Sequence, residues 1–188
     1  MAERDPRRAP LDGRAPWQRP DGAVALDELR LMRQIVLRLR SRATAYLAGL
    51  PLPLEANRAA AMGPVHSLWL GPDEFLITAP DGSVPELLPR LTRAAGPAAA
   101  VVDVSSSRSV ILVSGRDARR LLESGCGLDL HPRAFAPGHC AQTLFAGLPV
   151  ILEQTAAAPS YRLFVRRSSA RWLFDWLVEA AGDLAGEP

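Results

Sequence analysis

Four side chains within one short stretch, Cys126, His131, His139 and Cys140, are of the types that bind zinc. Thiolate and imidazole are the donors that ion prefers, but structural sites set them in pairs such as C-x-x-C or H-x-x-x-H. No such pair occurs here. His139 and Cys140 are adjacent in a segment predicted to be a strand, so their side chains face opposite sides. The favoured reading is a buried Cys140 and polar loop histidines. Asp103, Ser105, Ser106 and Ser107 with a histidine could supply the parts of a hydrolase triad, but no nucleophile-elbow pattern surrounds the serines. A polar turn after a buried strand accounts for them. Neither cysteine carries a sequence signature of a thiol nucleophile. Gly125-Cys126-Gly127 is a G-x-G that lacks the third glycine and follows a helix instead of a strand. It does not meet the dinucleotide fingerprint, and no P-loop pattern occurs. No catalytic, cofactor-binding or metal-binding residue is expected in this chain.

Arg30, Arg33, Arg38, Arg40 and Arg42 form a run with no acid between them. The run suits a face that docks an acidic partner. It suits equally a solvated strand edge charged against edge-to-edge pairing. Both readings stay open at the level of sequence.

The elements that must hold these residues can be read from periodicity and punctuation. Residues 1–22 mix Arg, Pro, Asp and Gly without apolar period and predict a disordered tail, with Trp17 as its one anchor. From Gln34 to Arg40 the chain alternates: Ile35, Leu37 and Leu39 face one way, Arg38 and Arg40 the other, as in a half-buried strand. A short helix is expected over Arg42 to Ala48, stopped by Gly49, Pro51 and Pro53. The runs Ser67–Leu70 and Phe75–Ala79 flank Gly71-Pro72-Asp73-Glu74 and read as a hairpin. A helix follows from Val84 to Ala95, then strands at Ala100–Val104 and Ser109–Val113. Ser114-Gly115-Arg116-Asp117 has the form of a capping box before a helix that ends near Gly125. A loop holds Leu128 to Gly138. Strands are expected at His139–Phe145, Pro149–Gln154 and Tyr161–Arg166. A final helix, Ser169 to Ala181, sets Trp172, Leu173, Trp176 and Leu177 on one stripe, read as core.

Strand pairs followed by an amphipathic helix occur twice, at Ser67–Ala95 and Pro149–Ala181. This order predicts an α+β protein of two small lobes, each of mostly antiparallel sheet with packed helices. The lobes are expected at about 23–105 and 106–182, with 183–188 a flexible C-terminus. The chain's 188 residues suffice for that, with 48% of them apolar and 22% charged. A formal net charge of +2, with all 22 cationic residues arginine, is no basic excess of the kind nucleic-acid binders show. No apolar run approaches the length that spans a bilayer. No leader of signal type is expected, so the two cysteines are expected to be free thiols in a cytoplasmic protein.

Several stretches carry a resemblance. Leu52-Pro53-Leu54-Glu55-Ala56-Asn57-Arg58-Ala59, Leu68-Trp69-Leu70-Gly71-Pro72-Asp73-Glu74-Phe75-Leu76 and Val102-Asp103-Val104-Ser105 resemble, in that order, segments of the gamma subunit family of heterotetrameric sarcosine oxidases. So do Gly125-Cys126-Gly127-Leu128-Asp129-Leu130-His131-Pro132-Arg133-Ala134-Phe135 and the Pro137–Leu144 stretch after it. The final helix, with Trp172, Asp175, Trp176 and Leu177, fits too. The resemblance spans about 23–181. The chain departs from the family where Gly127 replaces the usual proline and where Arg30 to Ala48 is short.

The resemblance implies a fold like the folate-binding fold of the glycine cleavage T protein. It also implies a place in a complex of alpha, beta, gamma and delta subunits that demethylates sarcosine to glycine. The methyl carbon leaves as formaldehyde or methylene-tetrahydrofolate, and oxygen becomes hydrogen peroxide. FAD, FMN, NAD, zinc and tetrahydrofolate would sit in other subunits, and the chain, inactive alone, would pack on the alpha subunit. Neither a nucleic acid nor a membrane is an expected partner. Asn57, Arg58, His131, Arg133 and Phe135 are the candidate interface residues because they lie in loops; the alternative is that they order their own loops. Asp103 resembles an acidic position that T-like proteins use for folate, but a strand-end aspartate serves as readily as a turn residue. The rival readings are a stand-alone T-protein-like folate-binding protein of one-carbon metabolism and an unrelated arginine-docking module.

Overall fold

A computed structural model describes residues 10–11, 14–40, 45–82, 84 and 86–184. In chain order they form β1 (Trp17–Gln18), β2 (Ala25–Glu28), β3 (Met32–Arg38), β4 (Tyr46–Leu47), β5 (Leu50–Pro51), β6 (Ala59–Met62), β7 (Val65–Gly71), β8 (Glu74–Pro80), α1 (Leu87–Ala95), β9 (Ala100–Asp103), β10 (Arg108–Ser114), α2 (Ala118–Glu123), β11 (Cys140–Phe145), β12 (Leu148–Ala156), β13 (Ser160–Arg166) and α3 (Ala170–Asp183).

The chain divides into two units, and neither is continuous in sequence. One takes the chain up to Arg30, Ser106–Pro137 and everything from Gln142; the other takes Leu31–Ser105 and Gly138–Ala141. The lobes expected at 23–105 and 106–182 therefore meet the structure only in part. Periodicity marks elements but not which sheet a strand joins.

In the second unit, β6-β7-β8-β3-β9 form one antiparallel sheet. The alternation read along β3 holds: Ile35, Leu37 and Leu39 enter a core with Phe75, Ile77, Leu87 and Leu91, the last two from α1. The β7–β8 hairpin falls where its turn residues place it. The helix expected over Arg42 to Ala48 does not: 41–44 lie outside the described residues, and Tyr46 and Leu47 pair with Pro51 and Leu50 in a two-strand ladder. Ala48 and Gly49, both at positive φ, make its turn.

The first unit carries the order β1-β2-β10-β13-β12-β11, with α3 against β10 and α2 against α3. Its central strands are buried on both faces. Val110, Ile111 and Val113 on β10 are buried, as are Leu163, Phe164 and Val165 on β13, so they read as apolar runs without alternation.

Three expectations change here. First, the part of the N-terminal tail that is described is ordered. Trp17 and Gln18 pair with Leu26 and Ala25, and Leu11 is buried. Polar contacts that sequence periodicity does not report hold this segment. Buried Arg19 forks onto Asp21 (Nε–Oδ1 2.7 Å, Nη2–Oδ2 2.9 Å) and also pairs with Asp117, while Arg116 donates to Asp21 at 3.0 Å. The Asp117 N–H donates to Ala23 O at 3.0 Å. Gly115, at φ 112°, lies so close that a Cβ there would fall 2.3 Å from Ala23 O.

Second, Ser114 caps no helix. α2 starts at Ala118 with Asp117 at the N-cap position, and Asp117 makes no side-chain cap bond because Arg19 takes its carboxylate. Third, the buried stripe of α3 is Ala170, Leu173, Phe174, Leu177 and Ala181. Trp172 lies off that stripe and is 50% exposed, since one residue turns a helix by about 100°. Asp183 still belongs to α3, whereas 185–188 lie outside the described residues.

Candidate functional site

The five loop residues named from sequence fall into two separate constructions. In the second unit, Asn57 adopts φ 60° and its carbonyl accepts the Cys140 N–H at 2.9 Å. Arg58 O accepts from Trp69 N at 3.0 Å and from the Cys140 thiol at 3.1 Å. The Ala59 N–H donates to Gly138 O at 2.7 Å. The Arg58 guanidinium lies against the ring nitrogens of His139, 3.2 Å from Nδ1, with Nε 3.3 Å from Glu55. Buried Cys140 thus works as a packed donor under the 57–59 backbone, while His139 points the other way to Arg58.

In the first unit, the His131 N–H donates to Asp129 Oδ1 at 2.9 Å, and His131 Nδ1 accepts the Arg133 N–H at 3.3 Å. His131 O accepts from Ala134 N and Phe135 N at 2.8 and 2.9 Å. Leu130 and Phe135 anchor this turn in the core, while His131 and Arg133 are exposed above it. His131 therefore orders its own loop, and Arg133 is displayed by it.

The chemistry considered from sequence finds other employment. Among the described residues, no three His, Cys, Asp or Glu groups gather as a metal site would need; Cys126 lies 3.9 Å from the Thr143 hydroxyl. Asp103 Oδ1 accepts the Ser105 N–H at 2.9 Å and its hydroxyl at 2.5 Å, and Ser105 Oγ accepts the Gln34 N–H at 3.0 Å. That is a turn closing a strand end, not a nucleophile waiting for a base. In the G-x-G, a Cβ on Gly125 would fall 2.8 Å from the Phe145 ring and 2.9 Å from Trp176. Gly125 lets those rings meet edge to face, with centroids 5.2 Å apart. Gly127, where the family proline was expected, has nothing within 4 Å of its would-be Cβ, so the departure disturbs no packing.

The arginine run is largely paired. Arg33 bridges Asp81 at 2.8 Å and Asp103 at 3.1 Å, Arg38 reaches Asp73 at 3.3 Å, and Arg30 donates to Arg14 O at 3.3 Å. Arg42 lies outside the described residues. β3 is paired on both sides, with β8 and β9, so the run is not a sheet edge; the aspartates that meet Arg33 and Arg38 also leave less of it for a docking face.

A different cationic group escaped the sequence reading. The β10–β13 register sets Arg108 directly opposite Arg166. On the same face, the next row is Val110, Phe164 and Ile151. Arg167 and Ser168 follow in the chain. Together with Gln142 and Leu144 of β11 they line an open cleft of about 770 Å³. No local sequence signal links residues so far apart.

Against known proteins, the model of the sarcosine oxidase gamma subunit family matches residues 41–183. The chain belongs to this family. It is 37% identical to the sarcosine oxidase subunit gamma of Arthrobacter sp over 85% of this chain and 83% of that one. With the Corynebacterium sp. (strain P-1) subunit gamma the identity is 35% over 89% and 84%. Among solved structures, a chain of the heterotetrameric sarcosine oxidase from Corynebacterium sp. U-96, in complex with pyrrole 2-carboxylate, superposes with a TM-score of 0.86. The two are 33% identical, and 97% of this chain and 98% of that one are covered. Aminomethyltransferase T of the glycine cleavage system from Bartonella henselae matches with a TM-score of 0.61 and 14% identity, over 86% of this chain and 50% of that one. That likeness shows a shared fold. The resemblance drawn from short motifs and the α+β, T-protein-like fold expected from it are both borne out.

Proposed function

We propose that this chain is the non-catalytic gamma subunit of a heterotetrameric sarcosine oxidase and braces the assembly in which its partners do the chemistry. The supporting observation is that its fold corresponds, over nearly its whole length, to a chain of such an enzyme. The complex takes sarcosine, water and oxygen to glycine, formaldehyde and hydrogen peroxide, or passes the methyl carbon on as methylene-tetrahydrofolate. FAD, FMN, NAD, zinc and tetrahydrofolate belong to the other subunits. The alpha subunit is the direct neighbour, with beta and delta in the same cytoplasmic particle. The disposition of side chains agrees with such a role: the Cys140 thiol, Asp103 and Ser105 hold turns and strand ends. Asn57, Arg58, His131, Arg133 and Phe135 shape the loops offered to partners, with Arg133 the one most open to direct contact.

Expression with the other three subunits tests this. The chain should co-purify with the flavin-bearing subunits, its omission should lower the yield of assembled, sarcosine-oxidising complex, and the chain alone should not oxidise sarcosine. Recovery of the chain solely as a monomer, with oxidation unaffected by its omission, would refute the reading. The rival, a stand-alone folate-binding protein, requires heat on titrating the isolated chain with tetrahydrofolate.

A further inference from the structure

The last helix of the first unit, α3, has two unlike faces. Ala170, Leu173, Phe174, Leu177 and Ala181 form the buried stripe. Trp172, Asp175, Trp176, Glu179 and Asp183 recur at intervals of three and four, so they share the other face. Trp176 leans on Phe145 and is partly buried. Trp172 is 50% exposed, and Asp175, Glu179 and Asp183 are exposed with it. All the carboxylates of α3 lie on this face, while its one cation, Arg171, is turned about 100° from Trp172. The helix itself gains nothing from this arrangement. Asp175, Glu179 and Asp183 follow one another at i, i+4 spacing, where like charges destabilise a helix. Glu179 and Asp183 also approach the C-terminal end, where the helix dipole disfavours anions, and no basic residue stands in the last turn. Asp175 meets Arg14, but Glu179 and Asp183 meet no cation among the described residues. A half-exposed indole beside uncompensated acids is complementary to a basic surface, and tryptophan is a residue type on which interfaces concentrate their binding energy.

We propose that this face of α3 docks a basic segment of a partner subunit, with one of its cationic side chains laid over Trp172 and others reaching Glu179 and Asp183. The stem of an arginine or lysine is apolar enough to cover the indole, and its charged head is attracted to the ring. From Trp172 to Asp183 the face runs about 16 Å along the helix, too far for one side chain or a small cation, so the occupant is a segment with several cations. Each cation that arrives turns a like-charge repulsion and a dipole conflict of the free helix into an attraction. The inference rests on the assembly reading above and names a surface that serves it.

The test measures affinity of the purified chain for the complex of the other three subunits at two ionic strengths. The double reversal Glu179→Lys, Asp183→Lys should weaken association by about tenfold or more. Its unfolding midpoint should hold or rise, because the new charges suit the helix dipole; a purely structural role for the acids predicts the opposite pair of results. Trp172→Ala should also weaken association by about tenfold or more, and the wild-type affinity should fall with salt. Arg93→Glu on α1, an exposed arginine of the other unit, is the control and should leave affinity unchanged. If the reversal impairs folding, the milder Glu179→Gln, Asp183→Asn pair carries the same expectation at smaller size. Wild-type affinity in the charge variants, or in Trp172→Ala, would overturn the proposal. So would loss of self-association of the chain with its affinity for the other subunits intact, since the occupant would then be a second copy. Failure of the wild-type chain itself to bind the other subunits would instead sink the assembly reading.

Discussion

Two sets of arginines sit on two sheets of this molecule and are brought together in different ways. On the second unit, Arg33 and Arg38 project from β3 and each meets an aspartate from a neighbouring strand or turn. On the first, Arg108, Arg166 and Arg167 line a cleft without a carboxylate. The first set is conspicuous in sequence as a charge run and turns out to be internally balanced. The second is scattered through the sequence and assembled by strand register. A run of like charges along one strand says little about binding until its cross-strand neighbours are known. A cluster made by register is invisible until the pairing is known, because only the fold brings its members together.

That contrast can be broken or sharpened experimentally. The largest effect is expected from Gly115→Ala. Strained φ and a Cβ 2.3 Å from Ala23 O should cost about 2–4 kcal/mol of stability by denaturant unfolding. This turn brings Asp117 to Arg19, so the loss measures how much a paired arginine site belongs to the fold. Affinity of the folded fraction for the other subunits should not change. Next comes Arg33→Gln, which should cost about 1 kcal/mol or less of stability, as exposed ion pairs do, and leave affinity untouched. If Arg33→Gln weakened association instead, the distinction between the two sets would fail.

The smallest effect is confined to acid. The fork from Arg19 and the Ala23 N–H hold Asp21 down from 3.8 to about 2. A depressed carboxylate stabilises the fold above its unfolded value, and that contribution is lost as pH falls through the folded one. Asp21→Asn should therefore be less stable than wild type near neutrality, with the gap closing between about pH 4 and pH 2. A constant gap across that window would show that Asp21 stabilises through something other than its charge.

Local pattern made much of this molecule legible. The β7–β8 hairpin followed from its Gly-Pro-Asp turn, β3 from its alternation, and the end of α1 from Gly96-Pro97. The family followed from short motifs in a fixed order. What stayed hidden depended on distant partners. The segment around Trp17 and Arg19 looked unstructured because its anchors, Asp117 and Ala23 O, act through charge and backbone instead of apolar period. Tyr46 and Leu47 became strand because positive φ at Ala48 and Gly49 turns the chain back on itself. Helical spacing with Trp176 puts Trp172 on the expected core stripe, whereas the turn of α3 gives that place to Phe174. The cleft arginines could not have been grouped without the β10–β13 register.

The interleaving of the two units bears on how the protein is made. The second unit lacks its last piece until Gly138–Ala141 has been synthesised, and the first lacks β11, β12, β13 and α3 until the chain is almost finished. Domains of continuous sequence can fold one after another as they leave the ribosome; here neither can be completed before the final third of the chain emerges. A nascent chain stopped after Ser105 would hold all five strands of the second unit's sheet but not the Gly138–Ala141 segment that bonds to Asn57 and Ala59, while β2 would still lack its partner β10.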